Sequence, residues 1–192
     1  MTIDISDSKQ MKKILLPSII IAMLFSCKKK EESTPVEETQ EPKIVLSGYT
    51  ETDKNGVVIG GNDNTDWKND LMWSENENKL FAFTDTASSL NGTDTSSVKV
   101  YPAYPNAVEG NSALTLAFIC PKKAVLSIVV VDEYLEKRTA PSNILVEDSL
   151  IQLEFDITKN TYDSGKLYRV YYGFSSKDHK LFYKGHGDFK VK

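Results

Sequence analysis

The chain is 192 residues long, 40% hydrophobic and 26% charged, with 23 basic against 27 acidic residues and a net charge of −4. This mix suits one folded domain with its own core and excludes a wholly disordered chain. A slightly acidic balance with no long basic patch also excludes nucleic acid as the expected partner.

Residues 1–10 place Asp4 and Asp7 ahead of the first lysine pair, so Met11 is the expected start and 1–10 an overcalled extension. Met11-Lys12-Lys13 then opens an apolar run, Ile14 to Phe25, of 12 residues. A membrane-spanning helix needs about 20 apolar residues, whereas signal-peptide cores have about 7–15. Length therefore predicts a removed signal peptide over 1–26, and Pro17 disfavours a permanent helix there. The run ends in Leu24-Phe25-Ser26-Cys27. That ending resembles the lipobox of bacterial lipoproteins: an aliphatic residue three before a cysteine, and a small one directly before it. Phe25 is bulkier than the family usually shows. The resemblance implies cleavage before Cys27, diacylglyceryl transfer to its thiol and acylation of the new amine, commonly with palmitate. Each buried CH₂ adds about 0.8 kcal/mol, so two or three chains make a stable membrane anchor. An ordinary cleaved signal with a chance cysteine is the plainer alternative.

Lys28-Lys29-Lys30-Glu31-Glu32 follow at once. Lysines then acids directly after the cysteine resemble the surface-export signal of Bacteroidota-type lipoproteins. The resemblance implies the outer leaflet of the outer membrane, facing the cell exterior; a merely solvated linker start is the other reading. Through residue 43 the chain is mostly charged residues, Thr and Pro, with Val36 the only apolar side chain. Such a stretch buries too little to offset the entropy of ordering. With Cys27 it forms a lipidated cysteine and flexible linker over 27–43, whose 16 residues after the cysteine reach about 20–25 Å. The folded domain is expected over 44–192. Without residues 1–26 the balance becomes 20 basic against 25 acidic. Lipid on Cys27 leaves Cys120 alone, so no internal disulfide can form. Cys120 closes an apolar-alternating run and is expected to be buried on a strand.

Strand-like runs separated by turn chemistry fill the rest: 44–46, 57–59, 79–83, 98–101, 114–119, 125–131, 150–157, 167–174 and 181–191. In 150–157, Leu150, Gln152, Glu154 and Asp156 share one face and Ile151, Leu153, Phe155 and Ile157 the other, the mark of a half-buried strand. The nearly continuous apolar run 125–131 predicts a central strand. Turns are expected at Lys54-Asn55-Gly56, Asn91-Gly92, Glu109-Gly110-Asn111 and Asp163-Ser164-Gly165. The one helical candidate, 66–78, lacks a continuous apolar stripe and is read as a single turn or a loop. Many short strands with frequent turns predict an all-β fold, an Ig-like or fibronectin-III-like β-sandwich behind a disordered tether. Tyr104-Pro105-Asn106-Ala107, the run 114–118 and the run 126–132 loosely resemble the start of small Ig-like sorting or capping domains. The second proline of that pattern is Ala107 here, and its later glycine is absent.

The densest polar patch runs from Gly60 to Asp70. Asp63, Asp66 and Asp70 are its candidate Ca²⁺ ligands, since that ion takes about 6–8 hard oxygens; a plain Asp/Asn-rich loop is the alternative. No EF-hand spacing is complete, and no other cofactor is expected. The candidate ligand-stacking aromatics are Trp67, Trp73 and Tyr171, with core packing as the competing role. His179 and His186, the only histidines, accompany neither a nucleophile elbow nor a zinc-ligand set. A catalytic role is therefore not expected. The expected function is a non-catalytic cell-surface lipoprotein, an Ig-like module that binds a glycan or an envelope protein. A periplasm-facing assembly lipoprotein and a polysaccharide-active hydrolase are the alternatives.

Overall fold

The structure, a computed structural model, describes residues 42–81, 98–147, 149–178 and 180–192. Cys27, the signal, most of the linker, Asn91-Gly92 and His179 lie outside the described residues. The folded unit spans Gln40–Lys192.

Among the described residues, ten strands and one short helix run in the order β1 (Glu51–Thr52), β2 (Val58–Gly60), β3 (Lys68–Asn69), α1 (Glu75–Asn78), β4 (Lys99–Tyr104), β5 (Ser112–Ile119), β6 (Ala124–Val131), β7 (Ser142–Val146), β8 (Leu150–Ile157), β9 (Leu167–Ser175) and β10 (Leu181–Lys190). They form a two-stranded ribbon, β1-β2, a three-stranded sheet, β4-β5-β8, and a five-stranded sheet, β3-β10-β9-β6-β7. All strand pairs are antiparallel. Lettered A to G in chain order, β4–β10 give A-B-E in one sheet and G-F-C-D in the other. That is the fibronectin-III variant of the Ig sandwich, with the fourth strand beside the third. The all-β sandwich expected from the sequence is the observed fold.

Period-two alternation builds the core. Leu114, Leu116 and Phe118 of β5, Leu126, Ile128 and Val130 of β6, and Tyr168, Val170, Tyr172 and Phe174 of β9 are buried between the sheets. At roughly 1.5–3 kcal/mol for each large apolar side chain, this interface is the main source of stability. β8 alternates as expected, with Ile151 and Ile157 buried and Gln152, Glu154 and Asp156 exposed. β6 is central, between β9 and β7, and is buried on both faces, which explains its nearly continuous apolar run. Before β9 the chain turns a corner at Asp163–Gly165, where the Tyr168 hydroxyl accepts a hydrogen bond from the Asp163 amide at 2.7 Å. This is the tyrosine corner of Ig-type sandwiches, a second mark of the fold besides strand order.

Two expectations need correction. Residues 44–46 are not a strand; Ile44 instead donates its amide to the Glu133 carbonyl and packs on the large sheet. Residues 79–81 are the turn leaving α1, not a strand. The helical candidate 66–78, expected as a single turn or a loop, holds the one-turn α1, opened by a capping box between Ser74 and Glu77.

Candidate ligand-binding site

Several of the residues singled out in the sequence lie on the outer face of the large sheet. Lys184, His186 and Asp188 alternate outward on β10, beside Gly173, Tyr171 and Arg169 of β9. The segment from Ile44 to Phe81 covers them, and Trp73, Leu80 and Phe81 close a second apolar cluster over Val129, Val131 and Tyr171. This polar row is therefore buried, and each side chain has a structural partner, although His186 Nε2 is buried with no hydrogen-bond partner among the described residues. Arg169 grips Asp188 with Nε to Oδ1 at 2.6 Å and Nη2 to Oδ2 at 2.8 Å. The Lys184 ammonium lies 3.3 Å from Asn78 Oδ1 and over the Trp73 ring at 4.8 Å. Burial lowers the pKa of that lysine.

The proposed Ca²⁺ ligands do not converge. Asp63 is folded onto Thr65, accepting from its amide at 2.8 Å and its hydroxyl at 2.7 Å. Asp66 is buried, with Oδ2 accepting from the Thr50 amide at 2.9 Å and Oδ1 from the Asp188 amide at 3.0 Å. Burial, then the neighbouring Asp188 carboxylate, raise its pKa to about 7. Asp70 accepts from His186 Nδ1 at 2.9 Å, a bond that lowers the Asp70 pKa. Among the described residues no group of three His, Cys, Asp or Glu side chains could hold a metal ion. The physical reason is that their oxygens already serve amides and an imidazole.

The proposed stacking aromatics are closed to ligands as well. Trp67, Trp73 and Tyr171 are 4%, 6% and 0% exposed. Trp67 enters the main core and stacks on Tyr172 at 6.4 Å. Its seat exists because residue 187 is glycine: an ideal Cβ there would lie 2.3 Å from the indole. Trp73 meets the edge of Tyr171 at 5.1 Å, and the Tyr171 hydroxyl donates to Glu77. Cys120 is buried as expected, just past the end of β5.

An open site lies on the other sheet. Across β4, β5 and β8, Tyr101, Ala117 and Gln152 form one cross-strand row. A register shift between Tyr101 and Tyr104 brings the second tyrosine beside the first, opposite Thr115. The β1–β2 turn, Asn55-Gly56, faces these residues across a cleft of about 230 Å³ that Leu150 also lines. The turn is fixed at both ends. Asp53 Oδ1 accepts from the Asn55 and Val57 amides at 2.8 and 2.9 Å. Thr52 Oγ1 donates to the Ala103 carbonyl at 2.6 Å. Gly56, at φ +80°, lies so close that a Cβ would touch the Tyr104 ring at 3.3 Å. Asn106 ties the same corner together, donating to the Thr50 and Asp188 carbonyls and accepting from the Lys190 amide. The Tyr-Pro-Asn stretch thus has a structural task here. Sequence reading missed this cleft because Tyr101, Gln152 and Asn55 are far apart in the chain; the alternation of β8 was the available signal for Gln152. No protein-family model matches the chain, and none of the curated proteins searched matches it.

Proposed function

We propose that the chain is a lipid-anchored, non-catalytic binding module displayed on the exterior of the outer membrane. One observation carries this reading. The linker joins the domain at Ile44, on the outer face of the large sheet, while the open cleft lies on the outer face of the small one. A domain held to a bilayer through Cys27 and residues 28–43 then has its cleft on the side away from its attachment. The lipobox-like residues and the polar linker supply the anchor in this reading. Mass spectrometry of the mature amino terminus and protease shaving of intact cells test it. Acylated Cys27 and loss of the domain on shaving are the expected results; a bare Cys27 ends the anchored reading. A second reading, a periplasm-facing assembly lipoprotein, is favoured by one feature. Val57, Val58 and Ile59 are 58%, 48% and 62% exposed along β2, which pairs only with β1 among the described residues. Acylated Cys27 with a domain that survives shaving selects it.

A further inference from the structure

We infer that the tyrosine cleft is a binding site for a neutral carbohydrate, with one sugar ring between Tyr101 and Tyr104 and its hydroxyls on Gln152 and Asn55. The inference rests on the binding-module reading above and names its ligand class. The width of the cleft comes from the sheet. Tyr101 and Gln152 stand two strand spacings apart, roughly 9–10 Å, with only the Ala117 methyl between them. That gap and the volume of about 230 Å³ suit one ring-sized unit, the rest of a larger glycan lying outside.

The lining sets the chemistry. Every residue lining the cleft is uncharged: two tyrosines, a proline, a leucine, two small residues and two amides. An ionic ligand would find no counter-charge there. Lys99 lies over the Tyr101 ring at 4.6 Å but outside the lining. Aromatic rings offer apolar faces for the C–H face of a sugar, and phenol and amide groups both donate and accept, as sugar hydroxyls do. Gln152 Nε2 donates to the Tyr104 hydroxyl at 3.1 Å. This bond orients the amide, keeps its Oε1 as an acceptor and leaves the Tyr104 hydrogen to donate. A proline-rich peptide also suits tyrosine-lined grooves, but its prolines bring acceptors only and would leave Gln152 Oε1 and Asn55 Oδ1 without donors. The β1–β2 turn is already locked by Asp53, Thr52 and Gly56, so little ordering remains to oppose binding.

The test is calorimetric titration of the full mature chain in detergent with cellotetraose, maltotetraose, laminaritetraose, xylotetraose, mannotetraose and chitotetraose. Tetragalacturonate and decaproline serve as charged and proline-rich probes. Saturable binding of at least one neutral glycan below about 1 mM is expected. Tyr101→Ala should weaken it about tenfold or more, as loss of a central aromatic contact does. The exposed Gln152→Ala and Asn55→Ala should weaken it several-fold with unchanged melting, so the result does not depend on Tyr101→Ala folding. Binding of no neutral glycan, binding of tetragalacturonate or decaproline alone, or neutral-glycan binding unchanged in all three variants would overturn the inference. Absence of glycan binding in a chain acylated at Cys27 removes this inference alone. A bare Cys27 in a chain that still binds a glycan removes only the anchored placement.

Discussion

Gly185 and Gly187 flank His186 on β10, and each stands where the fold has no room for a Cβ. At Gly185 an ideal Cβ would lie 2.0 Å from the Lys68 carbonyl oxygen and 2.8 Å from the Tyr172 ring. Backbone on one side and a core tyrosine on the other leave nothing to give way. Gly165, at φ +83° with nothing within 4 Å, pays only for its backbone angle. Gly185→Ala should therefore cost about 3 kcal/mol or more, and Gly165→Ala about 1 kcal/mol, by urea denaturation. Asp66 gives a pH-dependent counterpart. Its folded pKa is about 7 against an ordinary 3.8, so between those values the folded chain holds a proton that the unfolded chain has lost. Stability from this group is complete below pH 3.8, falls as pH rises to about 7, and is level above. The raised pKa of Asp188 acts with the same sign; the lowered ones of Asp63 and Asp70 act oppositely, in more acid solution. Urea denaturation at pH 4.5 and 7.5 should show the decline, on the order of 2 kcal/mol after discounting for solvent screening. Asp66→Asn should flatten it while lowering stability throughout by about 1–3 kcal/mol, because one acceptor then faces two amides. These side-chain roles were hidden in the sequence. Asp66 resembles any loop aspartate until Thr50 and Asp188 close around it, and Trp67 and Tyr171 resemble open aromatics until a remote segment covers them. Gly185-His186-Gly187 did carry a local sign, since glycines inside a strand mark close approach of another backbone.

Among the elements, those stabilised by alternation were legible and those stabilised by remote contacts were not. β8 occupies the residues its pattern marks, because one face is buried and the other wet. β7 escaped notice: it is a five-residue edge strand that opens with Ser142 and Asn143 and buries only Val146. α1 is held by the Ser74–Glu77 capping box, a spacing readable in the sequence but masked by the absence of an apolar stripe. Residues 44–81 depend on what they cover. Trp67 ties them to the main core, but around α1 their hold is local: Trp73, Leu80 and Phe81 over Tyr171, Val129 and Val131, a cluster separate from the main core. Trp73→Ala should cost about 3–5 kcal/mol. Because the cluster is separate, hydrogen exchange of residues 70–80 should accelerate before that of β6 and β9. Simultaneous acceleration in all three would show that cover and sandwich open as one unit.

For the whole molecule, the proposed reading puts attachment and recognition in different places, so that experiment can separate them. The domain's stability resides between its two sheets, and its first described residues add a few contacts at the margin. These are the Lys43–Glu133 ion pair at 2.9 Å, the Ile44 amide on the Glu133 carbonyl at 2.8 Å and Arg169 Nη2 on the Val45 carbonyl at 3.3 Å. The ion pair is exposed and screened by solvent, so it adds little to the domain's stability. Removing the acyl chains should therefore leave the domain's melting temperature unchanged while abolishing membrane retention. Cys27→Ser provides the comparison. Its hydroxyl cannot take the thioether-linked diacylglycerol, and the marginal hold of any single remaining chain should not keep the protein on the bilayer. Cell fractionation should find the wild-type chain with the outer membrane and Cys27→Ser in the soluble fraction, with equal thermal unfolding of the two purified proteins. A Cys27→Ser chain that stays with the membrane would show that something other than acyl chains holds it there, with exposed Val57–Ile59 the first surface to mutate.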